Sequence, residues 1–420
     1  MTGSQPPPAL DVDRLIDDRR NRILVCCGSG GVGKTTTAAA IGVRAAERGR
    51  HVVVLTVDPA RRLAQSMGLT SLDNTPRLVQ GVGAAVPLEE PFPDGNGEPG
   101  AGSLHAMMLD MKRTFDEIVE AHADPDRAAQ ILANPFYQSL SSSFAGTQEY
   151  MAMEKLGQLS RAQEWDLIVV DTPPSRSALD FLDAPQRLAR FLDGRLLRLL
   201  VAPAKAGGRA YLKVLNAGFG MVTGVLTKIL GTQVLRDVQT FVSALDTMFG
   251  GFRERADYTY QLLRAPGTAF LVVAAPEPDA LREASYFVER LAEERMPLAG
   301  LILNRVQRPP AAQLSAARSM AAAEMLEASA AGEARSGRSG GSGGSRGGAD
   351  SGGHGAYPLT VTALRLHADR MQQATEQRRV ARHFTAAHPL VPVAEIPAHP
   401  DDIHDLDGLR RIGQAFGPAS

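Results

Sequence analysis

Between the apolar run RILVCC and a stretch of small residues, the chain carries GSGGVGKTT, residues 28–36. No other feature limits the fold so tightly. Residues 28–35 fit G-x-x-x-x-G-K-[ST], a loop that needs a buried strand to deliver it and a helix to leave it. Arg22 to Cys27 reads as a short central strand. Thr35 to Gly49 reads as a helix with a small-residue face, ended by glycine. His51 to Asp58, HVVVLTVD, is β-branched and nearly continuous, as a parallel strand covered on both faces is. Strand, loop, helix and strand make a βαβ unit. The expected class is α/β, a mostly parallel sheet flanked by helices.

The chemistry follows from the loop. Gly28, Ser29, Gly30, Gly31, Val32 and Gly33 let the backbone curl, so its N–H groups aim inward with those at the start of the next helix, around Thr36. That suits a di- or triphosphate, ATP among them. Lys34 offers a mobile positive charge to the β- and γ-phosphates, and the Thr35 hydroxyl is a ligand for Mg²⁺. The segment can be forced into G-x-G-x-x-G, but Lys34-Thr35 directly after it argues for terminal phosphates rather than a dinucleotide. Asp171 ends the strand WDLIVVD, where a carboxylate reaches the magnesium shell directly or through water. Asp58, in VDPARRLAQ, is placed to orient the attacking water. Arg61 and Arg62 meet phosphate, a partner subunit or solvent. Asn304 ends the strand LAGLILN, where its amide can read an adenine edge.

Further strands are expected at Thr268–Pro276, Leu298–Val306 and in LVPVAEIP near the carboxyl end. Residues 1–20 read as a proline-containing tail with a short helix, and 413–420 as a second tail. A single α/β domain is expected over 21–333 and 356–412. Within it, 104–163 and 185–264 read as largely helical and gather into an inserted subdomain above the sheet's carboxyl edge. Residues 334–355, ARSGRSGGSGGSRGGADSGGHG, are too rich in glycine and serine to pack and read as a disordered insertion. A long helix follows over 360–388.

Composition removes several alternatives. With 45 basic and 46 acidic side chains the net charge is −1, which gives no support to a nucleic-acid surface. Two adjacent cysteines, Cys26 and Cys27, point to opposite faces of a strand, so neither a disulfide nor a thiolate zinc site is expected. The amino terminus lacks the apolar core of a secretory signal. The longest charge-free candidate for a membrane span, VLNAGFGMVTGVLT before Lys228, is shorter than the roughly 20 residues of a spanning helix. The expected location is cytoplasmic, or peripheral to a membrane through a partner.

These motifs, in their order, resemble the ArsA/Get3 family of P-loop ATPases. The likeness rests on GSGGVGKTT at 28–36, VDPA at 57–60 and WDLIVVDTPPSRSALDFL at 165–182. It rests also on APEPDALREA at 275–284, LILNR at 301–305 and EIPAHPDDIHDLDGL at 395–409. The resemblance implies an eight-stranded sheet, a nucleotide-dependent dimer, and a role for Asp58 as water-positioning acid of a first switch. It implies that Asp171 belongs to a second switch, with Thr172 and Pro174 in its moving loop. Asn304 becomes an adenine contact, and Pro397 a wall of the adenine pocket.

Departures from the family pattern matter as much. Its signature loop is G-K-G-G-V-G-K-[ST]-T, with the first lysine crossing a dimer interface; here Ser29 stands in that place. Two remedies are open: a homodimer in which Arg61, Arg62 or another base substitutes, or a heterodimer with a paralogous ArsA/Get3-like subunit that donates its lysine. The paired zinc cysteines and arsenite-binding cysteines of family members are missing, and SRSAL at 175–179 replaces T-G-H-T-L. Methionine-bearing stretches near 106–111, 151–153 and 214–230 suit either packing between helices or a hydrophobic or membrane-associated client. The expected function is a Mg-dependent ATPase whose dimer opens and closes around a client. The alternatives are a weakly catalytic ATP-binding regulatory subunit and a ParA/MinD-like positioning ATPase.

Overall fold

A computed structural model describes residues 7–57, 62–83, 102–135, 137–138, 147–173, 254–339 and 356–417. In chain order its elements begin with α1 (Val12–Asp17), β1 (Ile23–Cys27), α2 (Lys34–Glu47), β2 (His51–Thr56), α3 (Arg62–Ser66), β3 (Arg77–Gly83) and β4 (Ser103–Met108). Next come α4 (Met111–His122), α5 (Pro125–Leu132), α6 (Thr147–Ala162), β5 (Leu167–Asp171), β6 (Thr268–Ala274) and α7 (Pro278–Glu293). The chain continues with β7 (Leu298–Val306), α8 (Ala316–Ser339), α9 (Ala356–Ala387), β8 (Val393–Pro397) and α10 (Leu406–Gln414).

The strands form one eight-stranded sheet in the order β3-β4-β2-β5-β1-β6-β7-β8. All neighbours are parallel except β3 and β4. Alternation along β1 sends Ile23, Val25 and Cys27 to one core layer and Leu24 and Cys26 to the other. The first layer packs α4, α6, α7 and the carboxyl half of α9 against the sheet; the second packs α1, α2 and α10. In that order β2 lies to one side of β1 and β6 to the other. The carboxyl tip of β1 is therefore the crevice where such sheets bind ligands.

Several boundaries differ from the sequence reading. A helix was expected from 104, but Ser103–Met108 is strand β4, and α4 starts at Met111 behind an Asp110 cap. Leu, Ala and Met favour helices in isolation. Here Leu104, Ala106 and Met107 are fully buried between β2 and the two helical layers, and this packing outweighs local preference. The first tail is part of the domain from residue 7: Leu10, Val12 and Ile16 are buried, and Leu10 N–H donates to the Val393 carbonyl at 3.0 Å. Asp13 grips Arg44 of α2 through two bonds at 2.7 and 3.0 Å. At the other end Phe416, expected in a tail, is fully buried. The insertion expected from 334 begins as helix, since α8 runs to Ser339; residues 340–355 lie outside the described residues.

The helical subdomain is described in part, as α4, α5, α6 and a helical run at 254–264. Residues 174–253, which include most of its second half, lie outside the described residues. Glu154 of α6 is buried and paired with Arg255 at 3.1 Å, which joins the two described parts. Among the described residues, no helix is long and apolar enough to cross a membrane.

Candidate functional site

The loop leaves the centre of the sheet because β1 is buried along its length and delivers Gly28 against β6. A side chain at Gly28, whose φ is +150°, would collide with the Val273 carbonyl. Gly33, with φ +93°, is the N-cap of α2, and a β-carbon there would run into the Asn304 amide. Both positions need glycine for close approach as well as for backbone conformation. Lys34 arches back over the loop and donates from Nζ to the Ser29 carbonyl at 2.7 Å. Among the described residues the Ser29 hydroxyl is buried with no hydrogen-bond partner. A concave run of N–H groups, a lysine folded over it and a buried hydroxyl awaiting a partner suit a phosphate chain.

Asp171 is fully buried at the tip of β5, in register with Cys26 of β1 and Thr56 of β2. One of its oxygens, Oδ2, accepts from the Thr35 hydroxyl at 2.7 Å and from the Thr56 hydroxyl at 2.8 Å. The sheet thus brings together Thr35 and Asp171, which the sequence proposes as magnesium residues. A hydroxyl that donates its proton to Asp171 still presents lone pairs, and hard oxygen donors of this kind fit Mg²⁺. Thr56 was not anticipated. Its signal was a hydroxyl closing an otherwise apolar strand two residues before Asp58.

The strand tips are further stitched together. Val57 N–H donates to the Asp171 carbonyl at 3.1 Å, and both the amide and the hydroxyl of Thr172 donate to the Cys26 carbonyl. Asp58 and Arg61 lie outside the described residues, as does Pro174, and the side chain of Arg62 is not described. Asn304 is buried at the tip of β7. Its Nδ2 donates to the Val32 carbonyl at 2.8 Å and its Oδ1 accepts from Arg305 N–H at 2.9 Å. This amide fastens the phosphate loop to β7, a link that spacing alone could not reveal. Pro397 ends the adjacent strand β8 in register with Val306. Gly30 and Gly31 are exposed at the loop's crest, and Thr36 is half-buried in the first turn of α2.

The two cysteines beneath the loop are chemically silent. Burial pushes the Cys27 thiol up to about 12, and burial followed by the Asp171 charge raises that of Cys26 well above its ordinary range. Both stay protonated near neutrality, so neither is a nucleophile or a soft metal ligand.

The family described as Anion-transporting ATPase matches residues 21–328. The chain is similar to ATPase GET3 of Malassezia globosa, 28% identical over 190 residues, 45% of this chain and 49% of that protein. It is similar to ATPase ARSA2 of Chlamydomonas reinhardtii, 24% identical over 321 residues, 73% of each chain. ATPase get3 of Schizosaccharomyces pombe is 23% identical over 299 residues, 71% of this chain and 78% of that protein. The match to the first spans about half of that relative's length. The amino-terminal segment before residue 21, α9, β8 and α10 all lie outside the family match.

Proposed function

The chain belongs to the anion-transporting ATPase family, and on that premise we propose that this ATP-hydrolysing enzyme holds Mg-ATP at residues 28–36 and couples hydrolysis to a dimer that opens and closes around a client. The observation that carries the nucleotide reading is the meeting of the Thr35 and Thr56 hydroxyls on one oxygen of Asp171, beside a lysine folded over a glycine loop. Backbone N–H groups of 28–36 bind the phosphates, and Lys34 leaves the Ser29 carbonyl for the β- and γ-phosphates. Thr35 and Asp171 would hold Mg²⁺, which would supply charge neutralisation to the phosphates. Asp58 orients a water in line with the γ-phosphorus. The water oxygen bonds to phosphorus as the bond to the bridging oxygen of ADP breaks, and the water's proton passes to the carboxylate. Asn304 and Pro397, on neighbouring strand tips, are where we place the adenine.

Ser29 directs the choice of assembly. A serine hydroxyl cannot bring a positive charge across an interface, so the site is completed by another base of the same chain in a homodimer or by a paralogue's lysine in a heterodimer. A regulatory subunit with weak turnover is the second reading, and the same Ser29 supports it. The client is hydrophobic or membrane-associated in either case, and the proposed location is cytoplasmic.

ATP turnover by the purified chain, alone and titrated with a paralogous subunit, tests this. Lys34→Ala is expected to lower turnover about 100-fold or more with the circular dichroism unchanged. Wild-type turnover in that variant would overturn the reading. Stimulation by the paralogue, lost when only its extra lysine is replaced, selects the heterodimer; full activity alone selects the homodimer.

A further inference from the structure

Thr56 lies behind this site, touching Asp171 rather than the loop, and no phosphate-loop pattern includes it. It is the last residue of β2, fully buried, and its hydroxyl donates to Asp171 Oδ2 at 2.8 Å. The same oxygen accepts from Thr35 at 2.7 Å. A carboxylate oxygen carries two lone pairs near the carboxylate plane, so two hydroxyls approaching one oxygen set the rotation of the whole group. Of these donors, Thr35 is itself a proposed magnesium ligand and lies in the first turn of the loop's helix. Thr56 sits on a different strand, fixed by parallel pairing in which Thr56 opposes Asp171. The bond from Val57 N–H to the Asp171 carbonyl at 3.1 Å tightens that register, and that from Leu109 N–H to the Thr56 carbonyl at 2.9 Å holds β2 from its other edge.

We propose that Thr56 is a positioning residue for the magnesium site: its hydroxyl holds the Asp171 carboxylate in the rotation that serves the cation, independently of the loop. This rests on the reading of Asp171 as a magnesium residue. Groups that orient a metal's carboxylate from behind commonly change affinity about 10- to 100-fold when removed. Thr56→Val keeps the β-branched shape that a buried strand accepts while deleting the hydrogen bond. Thr56→Ser keeps the hydroxyl and deletes a methyl.

The test measures binding of a fluorescent ATP analogue to the full-length chain, in EDTA and across a Mg²⁺ titration, with Mn²⁺ binding followed by electron paramagnetic resonance. Wild type is expected to bind more tightly with Mg²⁺. In Thr56→Val the metal-free affinity stays within about twofold, while the half-saturating Mg²⁺ and Mn²⁺ concentrations rise about tenfold. Thr56→Ser returns them to within about threefold of wild type. Unchanged metal dependence in Thr56→Val overturns the proposal, as does equal impairment of the serine variant or an equal loss of metal-free affinity. If Thr56→Val does not fold, the serine variant decides alone: metal affinity as low as in an Asp171→Asn control refutes it, and near-wild-type affinity supports it. A wild-type protein whose nucleotide affinity ignores Mg²⁺ would instead defeat the magnesium reading itself.

Discussion

Acidification from pH 7 to pH 5 is expected to weaken this fold through one side chain, His105. It lies on β4 opposite Val53 of β2, only 1% exposed, with its ring centroid 4.8 Å from that of Trp165. Neither ring nitrogen has a hydrogen-bond partner among the described residues, and His51 lies close by on β2. Burial first, and the neighbouring His51 second, depress its pKa from 6.5 to about 4. A histidine held neutral imposes no penalty above pH 6.5, the unfolded value. As pH falls below that, the unfolded chain takes up a proton that the folded one refuses. Stability then drops by about 1.4 kcal/mol per pH unit until the folded pKa is reached. Between pH 6.5 and 5 this amounts to about 2 kcal/mol, and near pH 4 to about 3 kcal/mol at most, a large part of a typical 5–15 kcal/mol. The paired carboxylates Asp17 and Asp73, lowered chiefly by hydrogen bonds from Arg48 and Arg77, lose their contribution at lower pH. The assay is urea unfolding at pH 7 and pH 5, followed by the fluorescence of the single tryptophan, for wild type and His105→Phe. Wild type should lose about 2 kcal/mol more than the variant over that interval. Loss within about 0.5 kcal/mol of the variant's would refute the reasoning. So would native Trp165 emission that shows no quenching near pH 4, where an imidazolium would form beside the indole.

Two further outcomes are expected. Gly33→Ala should lower nucleotide affinity at least tenfold and the melting temperature by a few degrees, because its new methyl meets the Asn304 amide; Gly31→Ala has a similar backbone angle but open space, and should be milder in both measurements. Native protein at pH 8 should leave Cys26 and Cys27 unmodified by a disulfide thiol reagent, with both reacting once denaturant unfolds the sheet.

The βαβ unit around the loop was legible because glycine, lysine and threonine at fixed offsets have few other uses, and because ILVCC and HVVVLT are apolar on both faces. Strands β5 to β7 announced themselves the same way, whereas β8, VAEIP, carries an exposed Glu395 between its buried residues. β4 did not: SLHAMM is built of helix formers and becomes a strand only when β2 and β3 flank it. The role of residues 7–17 was hidden because Asp13 and Asp17 find Arg44 and Arg48 across some thirty residues, a pairing no local pattern encodes. The same is true of the site. Lys34, Thr35 and Asp171 follow from motif and strand position, whereas the grip of Asn304 on Val32 and of Thr56 on Asp171 arises from sheet order. Asp58 remains a sequence-based assignment.

The grip on α2 has a mechanical consequence. On its outer side this helix is pinned from two directions, by Asp13 and Asp17 of α1 and by Arg410 of α10, which reaches both Glu47 and the Gly81 carbonyl. On its inner side it lies against a close-packed sheet that resists sliding. A helix bolted down in this way is a poor piston. Under the proposed function, α1, α2 and α10 would serve as a fixed frame beside the loop, so that loss of the terminal phosphate would be felt elsewhere than in this helix.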